Sequence, residues 1–282
     1  MTLETFEGFH IHHYKEVLST NTEALDLIDK GISNETVIIA DMQTSGKGRT
    51  GKSWISPKGN FCASLIVNLS QISSLDFSAG YLDNRLDVTA HFGVIPACDA
   101  GIYLVQSTEM IESIDISRFT DLTFITALAV GNTLLSFMNG SNIQYKWPND
   151  VIIDGKKISG ILLERKSNSN LLVIGIGINI ISAPLPGTTC ISDYSEPMYN
   201  VGLLKELIIN FNKLREQWLS SGFYAIKEMW LKRAFKLNEH ISIKLANKLY
   251  EGIFTDIDKD GKLVLQQKNS SLIYFDAGEL FI

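Results

Sequence analysis

Cysteine is too scarce in this chain to build a covalent or metal-bound scaffold. Cys62, Cys98 and Cys190 are three in 282 residues, odd in number and far apart. That count argues against a disulfide framework or a Cys-based zinc site and points to a reducing compartment, the cytoplasm. Long apolar runs are missing too. The longest, residues 171–181, falls short of the ~20 residues a bilayer-crossing helix needs, so no membrane partner is expected. Met1 is followed by acidic and polar residues, not by the basic start and apolar core of a secretory signal. Positive charge is in deficit as well. Lys plus Arg number 25 against 31 Asp plus Glu, a net charge of −6, which argues against nucleic-acid binding through a broad basic surface. The remainder is 45% hydrophobic and 20% charged, ordinary for a globular protein, with length for one large domain or two unequal ones.

The cations present are clustered at Lys47, Arg49, Lys52 and Lys58, and again at Lys156 and Lys157. Such local clusters suit a small anionic ligand better than a polymer. The first cluster lies in Gly-Lys-Gly-Arg-Thr-Gly-Lys-Ser, residues 46–53, which fits the P-loop pattern letter by letter. A P-loop requires a strand running directly into the loop and a helix opening at its Lys-Ser end, so that aligned amides face phosphate. Here the strand-like residues 36–40 end early, and Pro57 and Gly59 oppose a helix after the loop. The segment is better read as a basic, glycine-rich loop that closes over an activated carboxylate or phosphate.

Periodicity predicts a strand at residues 10–14, then a helix over 22–30 capped by Ser19-Thr20-Asn21 and ended by Gly31. His10 and His12 would share one face of that strand and His13 the other. With no acidic or cysteine partner at a recognisable spacing, no metal site is expected there. Residues 61–69 read as a strand. Residues 121–138 read as a core helix, with Leu122, Ile125, Leu128, Ala129 and Leu135 near one face. An Asp154-Gly155 turn feeds a strand at 158–164, and 171–180 reads as a buried strand. Helices follow near 200–220 and 224–234. From about residue 237 the pattern changes to short strands at 240–245, 249–257, 262–265 and 272–275, a small β-barrel. Within it Asp256, Asp258 and Asp260 imitate half of a calcium loop. Gln267 stands at its twelfth position, so a hairpin turn at Asp260-Gly261 is the expected structure.

Three further clusters carry chemistry. Lys146-Trp147-Pro148-Asn149-Asp150 packs a cation, an amide and a carboxylate around a rigid proline. Lys157 opens a strand in which Gly160 permits close approach of a ligand or another backbone. Gly175-Ile-Gly177-Ile-Asn179 lacks the third glycine and the helix of a dinucleotide fingerprint. It suits a strand surface with room for a flat ring and an amide from Asn179 at its edge.

These motifs together resemble the biotin–protein ligase family. The resemblance rests on Ser19-Thr20-Asn21, the loop 46–52 followed by Trp54-Ile55-Ser56-Pro57-Lys58-Gly59-Asn60, Lys146 to Asp150, the strand Lys157 to Glu164, and Gly175 to Asn179. Asp258 to Leu265 and Ala277-Gly278-Glu279 resemble the family's small C-terminal domain. The resemblance implies a mixed α/β catalytic domain of the class II synthetase and biotin ligase-like type over residues 1–236, with helices packed on its sheet. An SH3-like β-barrel over 237–282 would follow. It implies a monofunctional ligase without an N-terminal DNA-binding domain, because only about eighteen residues precede Ser19.

The implied reaction uses ATP and biotin as substrates, with Mg²⁺, and releases pyrophosphate to give biotinyl-5′-AMP. The biotinyl group then passes to a lysine of a biotin carboxyl carrier domain. Arg49 and Lys157 would neutralise carboxylate and phosphate as they approach, and Asp150 would act on the acceptor lysine, on Mg²⁺ or on Lys157. Ser19, Thr20, Gln43, Gly46, Lys47, Arg49, Lys157 and Gly160 would bind biotin. Trp54, Lys146, Asn149 and Asn179 would bind the nucleotide. A homodimer is compatible with the resemblance. Lys47 and Lys52 stand where arginines are common in the family, keeping charge but losing the planar fork. Residues of about 75–116 form an unexpectedly long connection, read as an added hairpin beside the catalytic sheet. The rival readings are a lipoate–protein ligase with the same adenylation logic, a P-loop NTPase, and a biotin-binding regulator without catalysis.

Overall fold

The computed structural model describes residues 3–71, 117–138, 140–167, 169–197 and 200–281. The long connection at about 75–116 and Cys98 lie outside the described residues. Strands β1 (Leu3–Phe6) and β2 (Phe9–Tyr14) form a hairpin whose turn, Glu7-Gly8, has φ of 48° and 86°. Sequence reading found only the second strand. Helix α1 (Thr20–Asp29) crosses to β3 (Thr36–Ala40), which pairs parallel with β2. Ser19 occupies the cap position but its side chain makes no capping bond. The capping expectation therefore fails for its hydroxyl, which lines the cleft described below.

Strand β4 (Phe61–Asn68) and the long α2 (Ser117–Phe137) come next, then β5 (Ile143–Lys146), β6 (Asp150–Ile153), β7 (Lys156–Arg165) and β8 (Leu171–Ile178). The β6–β7 turn is Asp154-Gly155 with φ of 50° and 77°, the left-handed pair that a two-residue hairpin requires. All eight strands form one mixed sheet in the order β1-β2-β3-β4-β8-β7-β6-β5. Every residue of β3 and of β8 is buried, which explains why both read as continuous apolar runs rather than alternating ones. Both faces of the sheet are covered. Ala24 of α1 packs with Ile38, Ile66, Leu171 and Val173 on one side, while α2 and α3 (Asn200–Leu231) cover the other.

The predicted pair of helices is found as two helical stretches within α3 that meet at a kink at Gly222, where φ is 73° and ψ 179°. By length and hydropathy Phe119–Phe137 could cross a membrane, against the expectation from run length, yet 72% of that window is buried inside the protein. Its packing against α3 and the sheet is that of a core helix.

The remaining strands, β9 (His240–Leu245), β10 (Lys248–Ile257), β11 (Leu263–Gln266), β12 (Leu272–Phe275) and β13 (Glu279–Phe281), form an antiparallel sheet ordered β12-β11-β10-β9-β13. Ile241, Ile243, Phe254 and Leu265 join the same apolar core as α2 and α3. The Asp-rich segment is a turn, as expected: the Asp258 carboxylate accepts from the amides of Asp260 and Lys262 at 2.9 and 2.8 Å. Among the described residues no cluster of three His, Cys, Asp or Glu side chains could hold a metal. Trp147 Nε1 donates to Gly261 O at 3.1 Å and locks this turn against the large sheet.

Candidate active site

The basic loop is a tight hairpin. Gly48 N donates to Lys52 O at 2.7 Å, Lys52 N to Arg49 O at 3.0 Å and Trp54 N to Gly46 O at 2.9 Å. Thr50 and Gly51 reverse the chain with φ of 51° and 73°, a conformation a β-branched residue rarely adopts. No helix opens after Ser53, so the aligned amides of a P-loop are missing and that reading is excluded by the backbone. The loop forms one wall of a cleft of about 500 Å³.

The floor is built from β7 and β8. A Cβ added at Gly177 would come within 2.3 Å of the Trp54 ring, and one at Gly160 within 3.1 Å of it. The flat ring for which these glycines make room is therefore the protein's own indole. Gly175 makes room in the same way for Asn21, whose Oδ1 would lie 2.2 Å from an added Cβ. The Lys157 ammonium sits 5.3 Å from the centroid of the Trp54 ring, close enough for a cation–π contact.

Cations gather at one end of the cleft. Lys157 Nζ lies 2.7 Å from Asp150 Oδ1 across the β6–β7 pair. Of the three tasks open to Asp150, holding Lys157 is the one its geometry displays. Asn149 donates to Ile161 O at 2.7 Å and receives Arg49 Nη1 at 3.2 Å, so the segment before β6 anchors the loop arginine. Burial lowers the Lys146 pKa, opposed by the nearby Asp150 and Glu279 carboxylates. The small sheet supplies the mouth through Lys244, Leu245, Ala246 and the segment 277–280. Lys52 Nζ reaches Glu279 Oε1 at 2.6 Å, and that hydrogen bond, followed by the charges of Lys52, Lys146 and Lys244, lowers the Glu279 pKa against its desolvation.

Around Thr20 the lining is polar, and behind it Lys47 Nζ stands 3.9 Å from Glu164 Oε1, whose carboxylate also accepts from Asn21. Gln43 Oε1 accepts from the Thr20 amide at 2.8 Å and from the Thr20 hydroxyl at 3.1 Å, and Gln43 Nε2 donates to Ser56 Oγ at 2.8 Å. Ser19, Thr20, Gln43, Lys47, Arg49, Trp54, Lys146, Asn149, Asp150, Lys157 and Gly160 all line the cleft.

Two predicted residues do not line it. Gly46 lies behind the loop, where an added Cβ would meet Trp54 O at 2.3 Å; its smallness serves the hairpin. Asn179 is buried, donates to Thr189 O at 3.0 Å and stands 3.4 Å from the Asn60 amide, so its amide is occupied by the protein. Ser64 and Lys244 were not picked out from sequence, and Glu164 and Glu279 entered only as motif members without a role of their own. A buried serine on a strand and an isolated lysine between motifs carry no local pattern.

The description "Biotin/lipoate A/B protein ligase family" matches residues 15–84 and 105–180, and "Biotin protein ligase C terminal domain" matches 236–282. The chain belongs to this family. Among its relatives is the Paracoccus denitrificans biotin–[acetyl-CoA-carboxylase] ligase, 29% identical over 60% of this chain and 54% of the relative. The bifunctional ligase/repressor BirA of Bacillus spizizenii is 26% identical over 95% of this chain and 73% of its own length. The chain thus spans about half of the Paracoccus relative. The fold is that of the Aquifex aeolicus biotin protein ligase solved with biotin and ATP, at a TM-score of 0.70 and 20% identity over 96% of this chain and 97% of that one. Membership accounts for the order of the motifs, and the division of the match at residue 236 coincides with the change of sheet.

Proposed function

We propose that the chain is an ATP-dependent biotin–protein ligase with a catalytic unit over residues 1–236 and a barrel over 237–282. One observation carries the reading: a single slot floored by Gly160 and Gly177 brings together the hydrogen-bonding groups of Thr20 and Gln43 and the cations of Arg49, Lys146 and Lys157. A ligand with a polar head, an apolar body and a carboxylate fits that arrangement, with ATP phosphates among the cations.

In the first step a biotin carboxylate oxygen attacks the α-phosphorus, the bond to the bridging oxygen of the β-phosphate breaks, and pyrophosphate leaves. Two anions must approach, so cations aimed at the developing charge lower the barrier. Arg49, held by Asn149, supplies a fork for phosphate oxygens. Lys157 must exchange Asp150 for the substrate anion, which keeps its charge in place until then. In the second step the acceptor lysine amine attacks the acyl carbon, AMP leaves, and the amine proton is lost to a base, for which Asp150 becomes available once Lys157 turns to phosphate. Mg²⁺ would arrive with the ATP phosphates. With no three-residue metal cluster among the described residues, a cation held mostly by phosphate and water fits best, and Asp150 and Glu279 are the carboxylates that line the cleft.

The test is incubation with ATP, Mg²⁺ and either biotin or lipoate, with the adenylate identified by mass spectrometry. Biotinyl-AMP is expected from the wild type and not from Arg49→Gly or Lys157→Ala. Lipoyl-AMP alone transfers the reading to the lipoate branch of the family, and phosphate release without either adenylate overturns it.

A further inference from the structure

Pairing between β6 and β7 slips by one residue. Asp150 stands opposite Gly160, Val151 opposite Ser159 and Ile152 opposite Lys157, so Ile158 and Ser159 together face Val151. This is a β-bulge, which re-aims the side chains on either side of it. Side chains alternate between the faces of a strand, so residues 157 and 160 of a regular β7 would point to opposite faces. Here Lys157 Cε and Nζ lie 3.1 Å from where a Cβ of Gly160 would stand. Lys157 Nζ also meets Asp150, the residue directly opposite Gly160. The extra residue therefore brings the lysine and the glycine floor to one face, while Ile158 turns into the apolar core. In a register that paired Ile152 with Ile158, Lys157 would leave the slot.

The other edge of β7 holds the bulge. Strand β8 ends at Ile178, and the chain then turns to run parallel with the start of β7, Thr188 beside Lys157. Lys157 N donates to Gly187 O, Thr189 N donates to Lys157 O and Asn179 N donates to Ile158 O, each at 2.9 Å. Asn179 Nδ2 donates in turn to Thr189 O at 3.0 Å. A carbonyl only accepts, which fixes the orientation of that amide. Asn179 and Thr189 are both 2% exposed, so the carbonyl is shielded from water. Asp193 Oδ2 also holds Thr189, through its hydroxyl at 2.7 Å, but a carboxylate cannot stand in for a donor to the carbonyl. Asn60 secures the beginning of this strap, its Oδ1 accepting from the amides of Ile180, Ile181 and Ser182 at 3.0, 3.0 and 3.2 Å.

We propose that Asn179 is a positioning residue: by bracing the Thr189 carbonyl it keeps the bulge at Ile158 clamped and so holds the Lys157 ammonium on the slot face. The inference rests on the biotin ligase reading, in which Lys157 leaves Asp150 for the substrate anion. It gives Asn179, which the sequence pattern suggested for the nucleotide, a different task. Loss of the brace leaves a buried carbonyl unpaired, which the strap relieves by shifting, and the amides that clamp Lys157 and Ile158 shift with it.

The experiment compares wild type with Asn179→Leu, which keeps the branched shape of the side chain and removes its donor. Two quantities are measured: amide hydrogen exchange without ligands, and kcat and KM in biotin-dependent pyrophosphate–ATP exchange. The amides of Lys157 and Thr189 should exchange about tenfold or more faster in the variant, with those of β3 unchanged. The kcat should fall by about tenfold or more, since a displacement near 1 Å costs up to ~100-fold. KM for biotin and for ATP should each change less than about twofold, the mark of a group that acts in the reaction step.

A contact between Asn179 and the nucleotide would instead raise KM for ATP with kcat kept, and that result overturns the proposal. So does a retained kcat despite lost protection, or a lost kcat with the Lys157 and Thr189 amides still protected. Should Asn179→Leu not fold, Asn179→Ser, whose hydroxyl is too short to reach the Thr189 carbonyl, decides by the same measurements. Failure of the biotin reading is distinct: the wild type would then show no biotin-dependent exchange of pyrophosphate, while the amides would still report on the clamp.

Discussion

Gly177→Ala tests the architecture of the slot without reference to any ligand. The added methyl would stand 2.3 Å from Cε2 and Nε1 of Trp54 and 2.6 Å from Cζ2, more than ~1 Å inside ordinary carbon contact. The indole has little freedom to yield. Its backbone amide is bonded to Gly46 O at 2.9 Å, and its Cζ3 already lies 3.1 Å from the Cβ direction of Gly160. Relief therefore requires the loop carrying Lys47 and Arg49 to move. Overpacking of this kind costs about 1–3 kcal/mol, a fall in Tm of roughly 3–10 °C for a protein of this size.

Trp54→Ala removes a half-buried ring and destabilises on its own account, yet it also removes the clash. In that background Gly177→Ala should cost almost nothing, giving a coupling of about 1–3 kcal/mol in a double-mutant cycle of thermal or urea unfolding. In parallel, Gly177→Ala should raise KM for biotin by about tenfold or more through displacement of the loop, since a shift near 1 Å costs up to ~100-fold. Additivity of the two substitutions within ~0.5 kcal/mol would refute the claim that the glycine floor exists to seat Trp54.

Asn149→Ala removes both the bond to Ile161 O and the acceptor of Arg49. It should cost about 1–2 kcal/mol in urea unfolding and raise KM for ATP more than KM for biotin in pyrophosphate exchange. Lys146→Met replaces a cation disfavoured by burial, so Tm should rise by roughly 2–4 °C while ATP-dependent adenylate formation falls. The Lys52–Glu279 pair is exposed, and a double-mutant cycle in 0.15 M salt should give a coupling below ~1 kcal/mol that shrinks further at 1 M salt. Burial pushes the Cys62 thiol up to about 12 from 9.0. Between those values the unfolded chain releases its proton while the folded chain keeps it, so this group's contribution to stability declines as pH rises above 9. Urea midpoints from pH 8 to 10.5 should fall less steeply for Cys62→Ala, and native Cys62 should resist alkylation at pH 8.

Much of the fold was legible because it depends on near neighbours in the chain. Asp154-Gly155 announces its turn through the left-handed backbone that few other pairs tolerate. The break at Gly222 and the buried runs of β3 and β8 are local in the same sense. Strand β1 and the short β13 were missed, since four and three residues carry too little periodicity to stand out. The intervening Asp41 to Ser45 and the helix-breaking Pro57 and Gly59 weighed against the P-loop reading from sequence, and the hairpin at Arg49 to Gly51 agrees.

The sequence by itself determined most of the strands, turns and helices, and that a cationic loop and an amide–carboxylate cluster belong to one kind of chemistry. Their order in the chain sufficed for that. Only the tertiary structure decided what the side chains do to one another. It laid Trp54 on Gly160 and Gly177, where a foreign ring was expected. It buried the Asn179 amide against Thr189, and it linked Asn21 to Glu164, 143 residues away. Backbone preference is a property of a few adjacent residues and survives in the sequence. A hydrogen bond or a ring contact between distant residues depends on sheet order and register, which are set only when the whole core packs.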